Sequence, residues 1–374
     1  MIRKFLRNIL QQPLTRFVNK ISSAPDKKEV VASLDDLLAA IRKGDTTRGP
    51  VIPFPLATGR FIIFSDQHKG TRDNADDFSG AVSNYDSALD YYFEQGFRYI
   101  NLGDCEELWE NTPDAVMQVN RPVLQSEARF IAQNRYYRIF GNHDLEWKYP
   151  FQQKLYLQPV FGKDLQVYEG LELTTSANGK AYSIFLAHGH QGDKRSDGNP
   201  FSTWVVAAIW TPIQRFLGIN VNTLSASSDL VDAHNIIMYQ WSAAQQNLLF
   251  ISGHTHKPVF ASLDHIDLLH YQLQQARIAG DDAAITKISA DIDNYSKQYA
   301  GKKFVKTMAF PSYFNSGCCC FNDGDISGIE IADGWIRLIK WEGKNGAAPR
   351  RVVWQESPLD YIFSQLPAGT SGIV

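Results

Sequence analysis

Five short apolar runs punctuate the first two thirds of the chain: "RFIIFSD" at 60–66, "FRYINLGD" at 97–104, "YYRIFGN" at 136–142, "YSIFLAHG" at 182–189 and "NLLFISG" at 247–253. None alternates regularly with polar residues, so each predicts a strand covered on both faces. Helical spacing of apolar residues recurs between several of them, at about 78–95, 121–135 and 229–246. Strands alternating with helices predict an α/β fold.

Outside that rhythm the pattern differs. Residues 1–21 repeat apolar side chains at helical spacing, with five basic residues and no acid; they predict a basic amphipathic helix, kinked at Pro13. A second helix over about 28–43 ends at Gly44, a left-handed C-cap. The Pro-rich "GPVIPFPLATG" at 49–59 then closes an N-terminal helical extension, 1–58. The main domain spans 59–355, and 356–374 form a tail. Two segments interrupt the main domain. Residues 191–247 are rich in Trp and aliphatic residues and predict a helical insertion. Residues 263–299, around "AGDDA", predict a polar helical hairpin. Short strands are expected over "SYFNSGCCCF", "ISGIEIA" and "WIRLIKWE" near the C-terminal end.

Composition narrows the classes. The 374 residues are 44% hydrophobic and 21% charged, which allows a sizeable core and excludes general disorder. The net charge of −3 offers no global electrostatic footprint for nucleic acid. The cysteines are Cys105 and the run Cys318–Cys320. Neighbouring cysteines on a strand point to opposite faces, a poor disulfide framework, and this fits a reduced cytoplasmic compartment. The longest apolar candidate for a span, "WVVAAIW" at 204–210, falls far short of the roughly 18 residues that cross a bilayer.

Each of the five runs ends in polar residues: Asp66 and His68; Asp104 and Glu107; Asn142, His143 and Asp144; His188 and His190; His254 and His256. The carboxyl ends of strands in α/β sheets converge on one crevice, so these clusters can form one site. Carboxylates, one amide oxygen and imidazoles together suit Mn, Fe or Zn. In Asp66-x-His68 and His254-x-His256, alternate residues leave a strand end on the same side. One carboxylate, Asp104, can bridge two ions roughly 4 Å apart.

The order D-x-H, G-D-x-x-E, G-N-H-D, H-G-H, G-H-T-H resembles the calcineurin-like metallophosphoesterase superfamily over about residues 60–260. The resemblance implies two packed mixed β-sheets flanked by helices, a four-layer αββα sandwich with helical insertions. It implies two divalent ions, manganese first and iron or zinc next. Asp66, His68 and His256 would hold one ion, Asn142, His188 and His254 the other, and Asp104 would bridge. It further implies hydrolysis by attack of a metal-bound hydroxide, with His143 acting beside the ions and Asp144 orienting it. Glu107 and His190 are supporting candidates.

"GDCEELWE" and "GHTHKP" are most similar to the bacterial branch that includes UDP-2,3-diacylglucosamine pyrophosphatase, which also carries an insertion between its last two motifs. The chain departs from that branch in "SDQHKG" and in its added N-terminal and 263–299 segments. The expected substrate is a phosphodiester or pyrophosphate, lipid-linked or nucleotide; the apolar insertion at 191–247 is either a lid over it or a set of helices packed on the core. Lys69, Arg72, Lys194 and Arg195 are candidate phosphate contacts. Two readings stay open for residues 1–21: the apolar face packs on the catalytic domain with the charges in water, or the helix touches an anionic membrane peripherally, from the cytoplasmic side. A nuclease and a non-catalytic scaffold are the competing readings. The charge balance and the absence of a basic, aromatic-interleaved stretch speak against the first, and the complete ligand set speaks against the second.

Overall fold

The computed structural model describes residues 26–73, 76–162, 165–192, 228–264, 269, 273, 276–277, 280–298, 310–343 and 347–367. The expected α/β architecture is present: two seven-stranded mixed sheets lie face to face between helices. In the first sheet the order is Arg350–Pro358, Trp335–Glu342, Ile326–Ala332, Phe61–Phe64, Arg98–Leu102, Tyr136–Ile139, Val167–Tyr168. Its last four strands are parallel, and the three C-terminal strands join antiparallel. In the second the order is Val51–Pro53, Gly170–Ala177, Lys180–Ala187, Leu248–Ser252, Tyr313–Asn315, Val259–Phe260, Leu263–Asp264.

The period of two along a strand explains the layers. Phe61 and Ile63 point into the space between the sheets, while Ile62 and Phe64 point at the outer helices. In the second sheet Leu249 and Ile251 face inward, and Leu248 and Phe250 face the other helical layer. All eight are fully buried, and each such side chain contributes roughly 1.5–3 kcal/mol relative to exposure. The helices Val82–Glu94 and Arg121–Ile131 cover the first sheet through Tyr85, Leu89 and Phe130. The helices Lys27–Arg42 and Ser228–Ala244 cover the second through Leu34, Leu37 and Trp241. The helix expected over 28–43 is therefore present, with Gly44 left-handed just past its end.

The second sheet also holds a strand that does not read as an apolar run. Gly170–Ala177 pairs antiparallel with Lys180–Ala187 through Asn178 and Gly179, both at positive φ, the backbone a tight hairpin turn requires. Its Glu172 is buried and held by Arg42 at 2.5 Å. Near the other end, strand stops at Asn315, Gly317 turns at φ +75°, and Cys318–Cys320 lie beyond the strand, not within it. The four cysteines are free and buried. Of the polar hairpin, the second arm is the helix Asp282–Gln298, and in the first arm Leu269, Leu273 and Ala276 are buried. Residues 1–21 and positions 193–227, which carry Lys194, Arg195 and most of the apolar lid, lie outside the described residues.

Candidate metal centre

The site forms where the carboxyl ends of the parallel strands of both sheets meet. Leaving their strands, Asp66, His68, Asp104, His254 and His256 all adopt left-handed backbone, with φ between 48° and 68°. For a non-glycine residue this conformation costs roughly 1–2 kcal/mol. Ladder-like bonds hold it in place: Asp66 N–H donates to Gly103 O and His68 N–H to Asp104 O, each at 3.0 Å. Strain of this kind, offset by the surrounding structure, is characteristic of functional sites. Two motif glycines make room for the side chains: a Cβ on Gly103 would stand 2.6 Å from His188 Nδ1, and one on Gly141 would overlap Asp104 Oδ1.

The side chains from five motifs come together. Asp66 Oδ1 lies 3.2 Å from His256 Nε2 and 3.9 Å from His68 Nε2. His68 Nε2 and His256 Nε2 are 3.1 Å apart. Asp104 Oδ2 lies 3.1 Å from His188 Nε2 and 3.7 Å from His68 Nε2. The donor atoms of Asp104, His188 and His254 all lie within 4.8 Å of one another, as do those of Asp66, His68 and His256. Asn142 is buried beside them at the end of Tyr136–Ile139.

Hydrogen bonds fix which imidazole nitrogen is free. A carboxylate only accepts, so His68 Nδ1–H and His143 Nδ1–H both donate to Glu107 Oε2, at 2.9 and 2.7 Å. His188 Nδ1–H donates to Leu102 O at 2.8 Å. The Nε2 lone pairs of His68 and His188 therefore face the crevice, the arrangement by which ligating histidines are oriented.

The orienting role expected of Asp144 is corrected. Its Oδ2 accepts from Cys105 N–H at 2.8 Å and its Oδ1 from Gly141 N–H at 2.6 Å. It pins the loop after Arg98–Leu102 to the loop after Tyr136–Ile139 and makes no hydrogen bond to His143. Glu107 orients His143 instead. Trp109, which the sequence did not single out, stacks on the His143 ring at 4.0 Å and 18°, while its Nε1–H donates to Asn142 O at 2.7 Å.

Lys69 is also corrected. It is fully buried, with Nζ 2.8 Å from Glu127 Oε1, in a network where Arg138 pairs with Glu106 and Trp147 Nε1–H donates to Glu106 at 2.8 Å. Two cations and two carboxylates compensate one another there, so Lys69 is not available to a phosphate. Arg72 donates to Asn120 Oδ1 at 2.7 Å. His190 is buried with its ring 5.4 Å from that of His188; burial, with the His188 charge, pushes it down to about 3, a neutral imidazole. His234, also unanticipated, reaches in from the helix Ser228–Ala244: its Nε2–H donates to Gly189 O at 2.8 Å, and its ring lies 5.0 Å from that of His254.

The profile of the calcineurin-like phosphoesterases matches residues 59–258, the span that carries all five motifs. The chain belongs to the calcineurin-like phosphoesterase family. It is a metal-dependent phosphoesterase. No curated protein matches the chain. Among solved structures it is similar to vacuolar protein sorting 29 of Cryptosporidium parvum, at 10% identity over 80% of this chain and 98% of that one, with a TM-score of 0.30. A dimetal phosphatase of Danio rerio is similar at 10% identity, over 80% and 100%, with a TM-score of 0.33.

The residues fit the metal dependence of a calcineurin-like phosphoesterase. His254 Nε2 and both polar atoms of the Asn142 amide are buried with no hydrogen-bond partner among the described residues, and His188 Nε2 faces the Asp104 carboxylate at 3.1 Å. Each such group costs roughly 1–3 kcal/mol unless something occupies it. The charges agree. Burial opposes ionisation of Asp66 and Asp104, yet the facing imidazoles, His256 and His188 above all, hold both carboxyls well below the usual range. Burial acts downward on His188 and His256, yet the carboxylates Asp104 and Asp66 push them up, to about 9 and about 10. Cations at this spot would take the place of those protons.

Proposed function

We propose that the chain hydrolyses a phosphodiester or pyrophosphate bond in a lipid-linked or nucleotide substrate. Asp66, His68 and His256 would hold one divalent ion and Asn142, His188 and His254 the other, with Asp104 shared between the two sets. The observation that carries this reading is the position of Asp104, whose Oδ2 stands between His188 and His68, one from each ligand set. The mix of carboxylate, amide and imidazole donors favours manganese, with iron or zinc as substitutes. Two ions, when bound, neutralise phosphoryl charge and activate water for in-line attack. The side chains supply the rest. Glu107 holds His143 by Nδ1, leaving Nε2 to protonate the departing oxygen. Trp109 keeps that ring flat against its own indole.

The lipid-linked reading draws support from apolar residues in the segment that follows His143. Tyr149, Phe151 and Leu155 are 58%, 70% and 50% exposed, which suits contact with an acyl chain. Peripheral attachment to an anionic membrane through residues 1–21, on the cytoplasmic face, belongs to the same proposal. No helix among the described residues is long and apolar enough to cross a membrane.

The test is Asp104→Asn in the full-length chain, with metal content by elemental analysis and turnover of bis-p-nitrophenyl phosphate in manganese. Loss of bound metal together with loss of hydrolysis is expected. Two ions per chain with near-normal turnover would overturn the assignment. Plasmid DNA and a nucleotide-diphosphate lipid, run as parallel substrates, separate a nuclease from the proposed specificity.

A further inference from the structure

The cysteine run has no part in the phosphoesterase centre as described, yet it touches it. His256 is oriented by two different neighbours. Its Nε2 faces Asp66 and His68, at 3.2 and 3.1 Å. Its Nδ1 faces away from them, 3.8 Å from Cys320 Sγ. Cys318 Sγ completes the group: its donor atom and those of Cys320 and His256 all lie within 4.8 Å of one another.

Local geometry explains why two of three adjacent thiols share a side. Gly317 turns the chain at φ +75° directly after the strand Tyr313–Asn315. Cys319 N–H then donates to Asp66 O at 3.1 Å, which lays the segment along the first metal motif. Cys319 turns its thiol to Ser327 O, at 3.8 Å, into the layer that also holds Phe64 and Ile326. Its two neighbours face His256. Cys318 and Cys320 are 2% and 8% exposed, and both thiols are free.

The geometry points to a third metal site, for a thiophilic divalent cation such as zinc, made by Cys318 Sγ, Cys320 Sγ and His256 Nδ1. Tetrahedral zinc, with Zn–S about 2.3 Å and Zn–N about 2.0–2.1 Å, places a sulfur and a nitrogen ligand roughly 3.6 Å apart. The 3.8 Å between Cys320 and His256 needs an adjustment of only a few tenths of an ångström. Thiolate and imidazole together select zinc over the harder ions suited to carboxylate and amide donors. Binding releases the two thiol protons and the Nδ1 proton of His256 to solvent. The imidazole then links this ion to the Asp66 side of the dinuclear centre, and water fills the fourth position.

The site shares His256 with the proposed dinuclear centre, so the decisive readout is sulfur ligation, which does not depend on hydrolysis. Full-length protein is loaded with cobalt, and separately with zinc. Expected in cobalt is a near-ultraviolet thiolate-to-metal charge-transfer band, absent from the Cys318→Ser/Cys320→Ser double variant. Expected in zinc is one more equivalent in the parent than in the double variant, and X-ray absorption showing sulfur at about 2.3 Å. No cobalt band and no sulfur scatterer in the parent would overturn the proposal and leave the thiols as neighbours that merely orient His256. The parent spectra decide this even if the double variant does not fold. Failure of the dinuclear reading shows separately, as loss of manganese stoichiometry.

Discussion

Glu107 Oε2 lies 2.7 Å from His143 Nδ1, and the same oxygen lies 2.9 Å from His68 Nδ1. One carboxylate therefore orients both a proposed metal ligand and the proposed proton donor. Burial opposes its ionisation, but the His143 and His68 contacts hold it down to about 2, so it stays an acceptor across the working pH range. We expect Glu107→Gln to weaken metal affinity about 10- to 100-fold and to lower kcat at saturating manganese. Metal titration beside turnover checks this. A variant unchanged in both would remove Glu107 from the mechanism.

His143 should separate chemistry from metal binding. With Nδ1 held by Glu107, its remaining nitrogen is free for proton transfer. His143→Ala is expected to retain both ions and lose about 10²-fold or more in kcat. Elemental analysis in parallel with kinetics decides the point, since loss of an ion would make His143 a ligand. Trp109→Ala should lower kcat less, through a freer imidazole.

Metal loading and pH should be linked in a definite sense. In the metal-free chain His188 and His256 are pushed up to about 9 and about 10. A raised imidazole contributes stability that is fully present below its ordinary pKa of about 6.5 and is lost as pH rises through the raised value. The Tm of metal-free protein should therefore fall between about pH 6.5 and pH 10, while manganese-loaded protein should hold nearly constant over that window. Manganese added at pH 7 in weak buffer should release protons. A Tm of the metal-free protein that is flat in pH would contradict the assignment of these protons.

The membrane proposal has its own test. Five basic residues at roughly 1 kcal/mol each could hold residues 1–21 on an anionic surface, reversibly and less so as salt rises. Full-length protein should co-sediment with anionic liposomes at low salt. Deleting residues 1–21 should reduce this, and Phe151→Ser with Leu155→Ser should reduce it further if that apolar stretch also meets the bilayer. Protein that stays in the supernatant at low salt would end the membrane reading.

Short-range patterns in this chain are readable from its letters, and long-range pairings are not. Runs such as Phe61–Phe64 and Leu248–Ser252 were legible because burial on both faces demands continuous apolar residues, and the polar clusters behind them because strand ends converge in this fold class. The Gly170–Ala177 strand was not legible, since its buried Glu172 is made tolerable only by Arg42, 130 residues away. The motif letters could not assign roles within "GNHD" either. Only the assembled loops show that Asp144 serves two backbone amides, that Glu107 and Trp109 hold His143, and that Lys69 is spent on Glu127. A sequence records which side chains are available. Which buried donor meets which acceptor depends on packing between segments far apart in the chain, and here the left-handed turns at Asp66, His68, Asp104, His254 and His256 settle where those side chains point.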